Sequence, residues 1–532
     1  SMPAIITDQY RILNAETFID SFVGIGASGK NNYYTFLAHP NPKNIEVKNY
    51  GSENWPSQVP TPVDSFAQEN FYYDSMLFLK KVTSNDVRRI VPRRNWQTGT
   101  VYEMYRNNYS AQNGYTSQNL TPNSQSTSLY DSTYYVVNSE FNVYICINNG
   151  TNPDNPKGQK SLFEPLHVSN NPQAAGNGSD GYLWKYLFSI TPADIVKFVT
   201  SKYVPLPQVW GDTSTLSVKD AAVDGKIETV VVTNKGASVT VDGVLNGTIS
   251  GIPIIGDGTG GSITVSVVGG SIQSVESVTG GSGYTYGTIK WISGTYDNKN
   301  LNPGSEVSFE VVIPPKGGHG ADIYRELGGF RVMVYSKFDN NVDDAPDYII
   351  GNDFSRVGIV RNPLQLSGTG LLNNTTATNL SALKLKPASG GPTLSDINYP
   401  TNALITQTVG VGSTAVGYVA SWDSNTGVLK YYQPVGFSTL SQYSYKKLDF
   451  VSIGNTINCS TATGTGIVDT DFDGDSVVIA TGKNQSLGQT FVDGKANPDV
   501  KKYSGDIIYV DNRAPITRTE SQKEEVKIVI EF

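Results

Sequence analysis

The sequence predicts a mainly β protein, on three observations. The first is composition: 53 Gly, 27 Pro and 31 Tyr stand against 4 Met and 3 His in 532 residues, the usage of many short strands joined by turns. The second is the C-terminal run Glu524-Glu-Val-Lys-Ile-Val-Ile-Glu-Phe532. Val526, Ile528, Ile530 and Phe532 alternate there with Lys527, Val529 and Glu531, the period-two pattern of a half-buried strand. Such a strand ends on a buried Phe532 and needs earlier parts of the chain to complete its sheet. The third is a pair of hairpin signatures, at 133–147 and 418–432, each with its turn residues in place.

Along the chain, residues 14–23 read as a short amphipathic helix. Asn14 caps it, Ala15, Phe18, Ile19, Phe22 and Val23 form its buried face, and Gly24 stops it. A strand follows at Tyr33–Ala38, then a Pro-rich loop with Pro56, Pro60 and Pro62, then an apolar run at Met76–Leu79. Residues 133–137 and 141–147 pair across a turn at Asn138–Glu140. Thr191-Pro-Ala-Asp194 starts a helix with a capping Thr, Pro at the first position and an acidic third residue. Ile195, Val196, Phe198 and Val199 supply the buried face of that helix.

Near residue 213 the texture turns Gly-, Ser-, Thr- and Val-rich, with strands at 227–233 and 262–268. Val232–Ser238 is echoed at Val278–Tyr284. Two copies make a small β module and not a solenoid, which needs at least about three repeats. A denser texture returns from Gly328 to about Gln365, and a second Ser/Thr/Gly-rich stretch covers 366–499, with the hairpin Tyr418–Trp422, Asp423–Gly427, Val428–Tyr432. Although the length prior is roughly three or four domains, the economical organisation is one discontinuous, β-sandwich-like core with a few short helices. Its segments are 1–212, 328–365 and 500–532, and two small β modules, 213–327 and 366–499, are inserted in it.

The net charge of −8 argues against a generic nucleic-acid binder. No stretch reaches the roughly 18 apolar residues of a membrane span. Met2 runs directly into Pro-Ala-Ile-Ile-Thr-Asp, so no signal peptide is expected, and Ser1 reads as a scar of tag removal. Cys146 and Cys459 are far apart, which leaves neither a disulfide framework nor a thiolate zinc site; Cys146 reads as a small buried hydrophobe, and either the compartment is reducing or the cysteines carry no information about it.

Four patterns invite a chemical reading. Gly24-Ile-Gly-Ala-Ser-Gly-Lys30 approaches a phosphate loop, but that chemistry needs a strand before the loop and a helix after it. Here the order is reversed and Asn31 replaces the magnesium-holding Ser or Thr, so the reading is a helix-to-strand loop. Asp469, Asp471, Asp473 and Asp475 imitate the first half of a calcium loop, with Gly474 at its sharp turn. Ala480 stands where the bidentate Glu belongs and no helical pattern flanks the run, so a solvated acidic turn is expected and no metal is assigned. Arg88, Arg89, Arg93 and Arg94 resemble a phosphate-binding patch, yet they are interleaved with Val87, Ile90, Val91 and Trp96. They are read as serving the fold or a protein interface. His39, His167 and His319 have no metalloprotease spacing, Gly280-Gly-Ser-Gly-Tyr284 lacks the last Gly of a nucleophile elbow, and a carboxylate pair for glycoside hydrolysis is not a pattern that sequence can exclude. No catalytic residue, cofactor or small-molecule substrate is assigned.

Four blocks, in this order, resemble one family: Ile90-Val-Pro-Arg-Arg-Asn-Trp96, Ser179-Asp-Gly-Tyr-Leu-Trp-Lys-Tyr-Leu-Phe-Ser-Ile-Thr-Pro192, Val357-Gly-Ile-Val-Arg-Asn-Pro-Leu364, and Ser504-Gly-Asp-Ile-Ile-Tyr-Val-Asp-Asn-Arg-Ala-Pro-Ile516 with the closing strand. Together they are similar to the baseplate wedge proteins of T-even-like contractile-tailed bacteriophages, the gene-eight product. The residues that carry the match are Pro92, Arg93, Arg94 and Trp96 in the first block, and Asp180, Gly181, Tyr182, Trp184, Tyr186 and Phe188 in the second. Asn362 and Pro363 carry it in the third, and Gly505, Tyr509, Asn512, Arg513, Pro515 and finally Phe532 in the last. The resemblance covers 1–212, 328–365 and 500–532, about half the chain. The two Gly/Ser/Thr-rich stretches exceed that family's length and resemble the β insertions of cyanobacterial myovirus structural proteins, as does Pro314-Pro-Lys-Gly-Gly-His-Gly320 with Glu326-Leu-Gly328. The resemblance implies a virion protein of the tail baseplate, assembled in the host cytoplasm. It implies a homodimer without enzymatic activity that contacts neighbouring wedge subunits and takes part in the rearrangement that triggers sheath contraction; no nucleic acid or membrane partner is implied. The competing expectation is a tail-associated protein that binds, or degrades, a receptor polysaccharide.

Overall fold

The computed structural model describes residues 6–24, 30–39, 59, 61–62, 64, 66–109, 128–339, 353–433, 448–519 and 522–532. It is 46% strand and 10% helix, which makes the protein mainly β. Five α-helices occur among the described residues: α1 Asp8–Asp20, α2 Phe66–Ser75, α3 Pro192–Phe198, α4 Leu216–Asp220 and α5 Ile323–Leu327. None of them is long and apolar enough to cross a membrane.

The chain divides into two compact units. The first comprises Ser1–Thr17, Arg88–Met333 and Val529–Phe532; the second comprises Phe18–Val87 and Val334–Ile528. Stretch 213–327 therefore lies wholly in the first unit and 366–499 wholly in the second, while the segments read as one core are shared between both.

In the first unit the organising sheet is antiparallel, in the order Tyr135–Val137, Asn142–Asn149, Tyr182–Ser189. The first two strands form the expected hairpin, and Phe141 takes φ 60° as the turn closes. Tyr134, Tyr135, Val143, Ile145, Trp184 and Leu187 belong to one buried cluster with Val204 and Leu206. Cys146 is fully buried in the same cluster, and burial pushes its thiol well above the usual range, so it behaves as a packed hydrophobe. Helix α3 starts as the sequence indicates: the Thr191 side chain accepts the Asp194 N–H, with Pro192 at the first position. Its buried face differs from the expectation, because Phe198 and Asp194 are buried while Val196 is 69% exposed.

The Gly-rich stretch of this unit forms a four-stranded sheet in the order Ser271–Ser282, Thr259–Val268, Gly247–Gly256, Gly287–Ile289. Val230–Ala237 pairs with Ser305–Val311 beside it. Ile249, Ile263, Val265, Val267 and Ile272 belong to a hydrophobic cluster that draws only on residues 227–313. The echoed segments Val232–Ser238 and Val278–Tyr284 mark the ends of two of these strands, where Gly236, Ser238, Gly281 and Gly283 all adopt positive φ.

The second unit is built on a five-stranded sheet in the order Thr376–Thr378, Met76–Val82, Tyr33–Ala38, Asp353–Arg361, Asp506–Thr517. Tyr33–Ala38 lies at its centre and is buried at every position. Leu37 faces a cluster with Phe78, Phe338 and Tyr432, while Tyr34, Phe36 and Ala38 face a second cluster with Leu79 and Val360. A sheet covered on both faces loses the polar alternation of a half-exposed one. A second sheet runs Leu404–Gly410, Ser413–Asp423, Val428–Tyr432, Ser381–Pro387, Gly466–Val468, and its hairpin closes where Gly427, at φ 71°, returns an N–H to Asp423 O at 2.8 Å.

Three expectations are corrected. Helix α1 starts at Asp8, so Asn14 sits in mid-helix and caps nothing; Thr7 Oγ1 accepts the Tyr10 N–H at 3.3 Å instead. The early start was hidden because Tyr10 and Leu13 are more than half exposed and only Ile12 and Ala15 are buried, which leaves no clean apolar stripe. Val23, expected on the buried face, is 44% exposed beyond the helix end. The C-terminal strand Lys523–Glu531 forms, but of its alternating residues only Ile528 is buried and Phe532 is half-buried. Partial cover on both faces replaces the expected one-sided burial. Phe532 is held by its backbone, its N–H reaching Phe330 O at 3.1 Å and its carbonyl accepting from Arg11. The Pro56 and Pro60 loop lies outside the described residues, as does the middle of the Gly24–Lys30 loop, 25–29.

Candidate functional site

The residues singled out by motif gather in two places, one in each unit. In the first unit, Arg94 O and Trp96 N bond Val137 N and O at 2.7 and 2.9 Å, laying the first block along the Tyr135–Val137 strand. Pro92 O accepts the Tyr135 hydroxyl at 2.6 Å. The arginines are consumed locally. Arg88 pairs with Asp194 at 3.1 Å and Arg89 stacks 3.7 Å over Tyr324. Arg93 donates to Asn95 Oδ1 and Thr200 O, and Arg94 donates to Tyr130 O from a position over the Tyr135 ring. These contacts assign the cluster to the fold, and guanidinium planes over aromatic faces suit that role. Trp96 is half-buried and its Nε1 donates to Ser161 Oγ at 3.0 Å.

The second block crosses the same core. Asp180 is almost fully buried; its carboxylate accepts N–H groups from Leu162 at 2.9 Å and Tyr182 at 3.2 Å. Gly181 has φ 77°, and a Cβ there would stand 3.1 Å from the Gly150 Cα, so the turn requires glycine. Trp184 is fully buried, stacked on Tyr182 at 5.2 Å and met edge-on by Tyr102 at 5.8 Å. Phe188 packs against Trp210, while Tyr186 is half-buried with its hydroxyl on Ser189 Oγ. Lys185, on the same strand, donates to Asn170 O at 2.6 Å; burial pulls its ammonium down, against the pull of Glu326 and Glu228. Glu326 in turn binds His319 Nδ1 at 2.5 Å and the Gly320 N–H at 2.6 Å, which places the Pro314–Gly328 phrase in a buried polar network.

In the second unit the strand that opens the third block pairs with the fourth, with one shift of register after Ile359: Arg356, just before the block, lies opposite Asn512, Val357 opposite Asp511, Ile359 opposite Tyr509 and Arg361 opposite Asp506. Arg356 is fully buried and donates to Asn512 Oδ1 at 2.8 Å and Ser75 Oγ at 2.6 Å. Asn362, at φ 53°, exchanges bonds with Asn32, its N–H going to Asn32 O and its Oδ1 accepting the Asn32 N–H. Gly505 has φ 81°, and a Cβ there would lie 2.7 Å from Arg361 O and 2.8 Å from Pro363 N. Arg513 is exposed and paired with Asp511 at 2.7 Å; Pro515 is half-buried near the end of the edge strand.

The acidic turn is occupied by the chain itself. Lys386 Nζ lies 2.8 Å from Asp469 and 3.1 Å from Asp471, and Asp473 accepts the Asp493 N–H. The four carboxylates therefore do not converge, and among the described residues no group of three or more His, Cys, Asp or Glu is placed to hold a metal ion. The motif reading did not find two polar cavities in the second unit, of about 360 and 130 Å³, which share Asp499. Their lining comes from separate strands and loops, so no local pattern marked them.

No family model matches this chain, and no curated protein matches it. The family resemblance therefore stands on the four blocks themselves.

Proposed function

We propose that the chain is a structural subunit of the baseplate wedge of a contractile-tailed bacteriophage. On this reading it acts as a homodimer, contacts neighbouring wedge subunits in the virion, and takes part in the rearrangement that triggers sheath contraction. The observation that carries the reading is the pairing of the blocks. Two blocks about 145 residues apart in sequence lie side by side across Asp353–Arg361 and Asp506–Thr517, and the other two flank one sheet, the first bonded to Tyr135–Val137 and the second paired with Asn142–Asn149. Segments chosen only for their resemblance thus form the framework of each unit. Their arginines, asparagines and glycines are engaged in packing and turns. Work of this kind is done by surfaces, with burial of aromatic and aliphatic groups as the driving force.

Co-expression with the other wedge proteins of the same virus tests the proposal. Co-elution in a defined stoichiometric complex is expected. Elution of the chain alone from equimolar mixtures with every wedge subunit would contradict it.

A further inference from the structure

We propose that the turn Lys501–Ser504 is a strained catch in the second unit: Asp74 holds it closed, and its release frees the strand Asp506–Thr517 that the turn leads into. The device goes beyond the wedge reading and does not rest on it.

The turn closes where the Ser504 N–H reaches Lys501 O at 3.2 Å, and Tyr503 takes its third position at φ 60°. A positive φ at that position belongs to Gly or Asn. In a residue with a Cβ the left-handed conformation costs free energy, and in a bulky one it is an outlier. Turn chemistry therefore gives no reason for a tyrosine here. Strain of this kind persists only where surrounding contacts over-determine it, and it gathers where a segment has to move.

The contacts that hold the turn converge on one buried carboxylate. Asp74, in the last turn of α2 and 3% exposed, accepts the Tyr503 hydroxyl on Oδ1 at 2.6 Å. Lys502 Nζ lies 2.7 Å from the same oxygen and also donates to Gln433 O at 2.7 Å. Burial, and after it the charge of Asp74, pushes the Tyr503 hydroxyl above its usual range, so it keeps its proton and stays a donor. Hydrogen bonds to an ionised acceptor are the strong ones, and they offset the backbone strain. Tyr73 meets the Tyr503 ring edge-on at 6.0 Å, and its hydroxyl donates to Gly505 O. Tyr503 is nevertheless 40% exposed, so the turn can open without opening the core, the condition for a local unfolding unit. Among the described strands, Asp506–Thr517 pairs only with Asp353–Arg361, and that pairing shifts register twice. Each shift disrupts the ladder locally, and the turn is the anchor at the start of the strand.

The test is hydrogen–deuterium exchange of the full chain, read by mass spectrometry on peptides covering 501–517. Tyr503→Phe keeps the ring and removes the bond to Asp74. It should speed exchange there by about ten-fold or more, while peptides of the Tyr33–Ala38 strand keep the wild-type rate. Tyr503→Ala and Tyr503→Gly both lose the ring and the bond, but only the second relieves the backbone. Tyr503→Gly should therefore exchange more slowly than Tyr503→Ala, by about five-fold or more. If Tyr503→Phe unfolds, the comparison of the other two decides. A wild-type rate in Tyr503→Phe, or equal rates in Tyr503→Ala and Tyr503→Gly, would overturn the proposal.

Discussion

Two tryptophans in the motif blocks occupy different environments, and the sequence gives no means of ranking them. Trp184 is enclosed on all sides between Tyr182 and Tyr102, whereas Trp96 is half-buried and tied by one hydrogen bond. Trp184→Ala should therefore cost about 3–5 kcal/mol, and Trp96→Ala clearly less, by denaturant unfolding; equal losses would contradict the assignment. Arg518 and Glu524 make a sharper case. They form a buried pair at 2.8 Å beneath Phe78, within the second unit. Removing one partner strands a charge, so Glu524→Leu should cost about 3–5 kcal/mol, while Arg518→Met together with Glu524→Leu recovers most of it. A double variant as unstable as the single one would show that the pair does more than neutralise itself. The arginines at 88–94 were legible as structural because apolar residues are interleaved with them. Their partners, Asp194, Tyr324 and Tyr130, come from elsewhere in the chain and no local pattern announces them.

Elements defined by turn chemistry and dense apolar runs were legible. The Tyr33–Ala38 strand, the two hairpins and the capped start of α3 follow from local rules. Elements whose burial is partial were misread, α1 at its start and the last strand in its facing, because periodicity records burial only where one face is clearly drier than the other. That last strand carries a pH dependence. Partial burial pushes the Glu531 carboxyl up, but the hydrogen bonds and charges of Arg331 and Arg11 outweigh this and hold it below its usual 4.5. A carboxyl lowered in the folded state adds stability that is present above its unfolded pKa and lost as pH falls through the folded one. Glu531→Gln should therefore lower the unfolding temperature near neutral pH and flatten its fall below about pH 4.5. A variant whose acid limb matched that of wild type would remove these ion pairs from the account. Both carboxylate contacts are partly exposed, so the effect should shrink in high salt.

At the scale of the whole molecule, composition and alternation were enough for a mainly β fold. The two compact units follow lines that composition does not mark, since texture reports local turn content while a unit is defined by which distant segments share a core. The polar cavities were invisible for a related reason: Thr376, Lys430, Gln489 and Asp499 are unremarkable singly and line the two cavities only because strands from separate parts of the chain bring them together. The central claim is that this protein works through surfaces it presents to copies of itself and to wedge neighbours. The most direct test is the solution mass of the purified chain, by light scattering coupled to size exclusion. The account predicts a stable dimer, at twice the mass of the chain and unchanged on dilution. A trimer would contradict it and point to a spike-like assembly, and a monomer at all concentrations would remove the self-association on which the proposal stands.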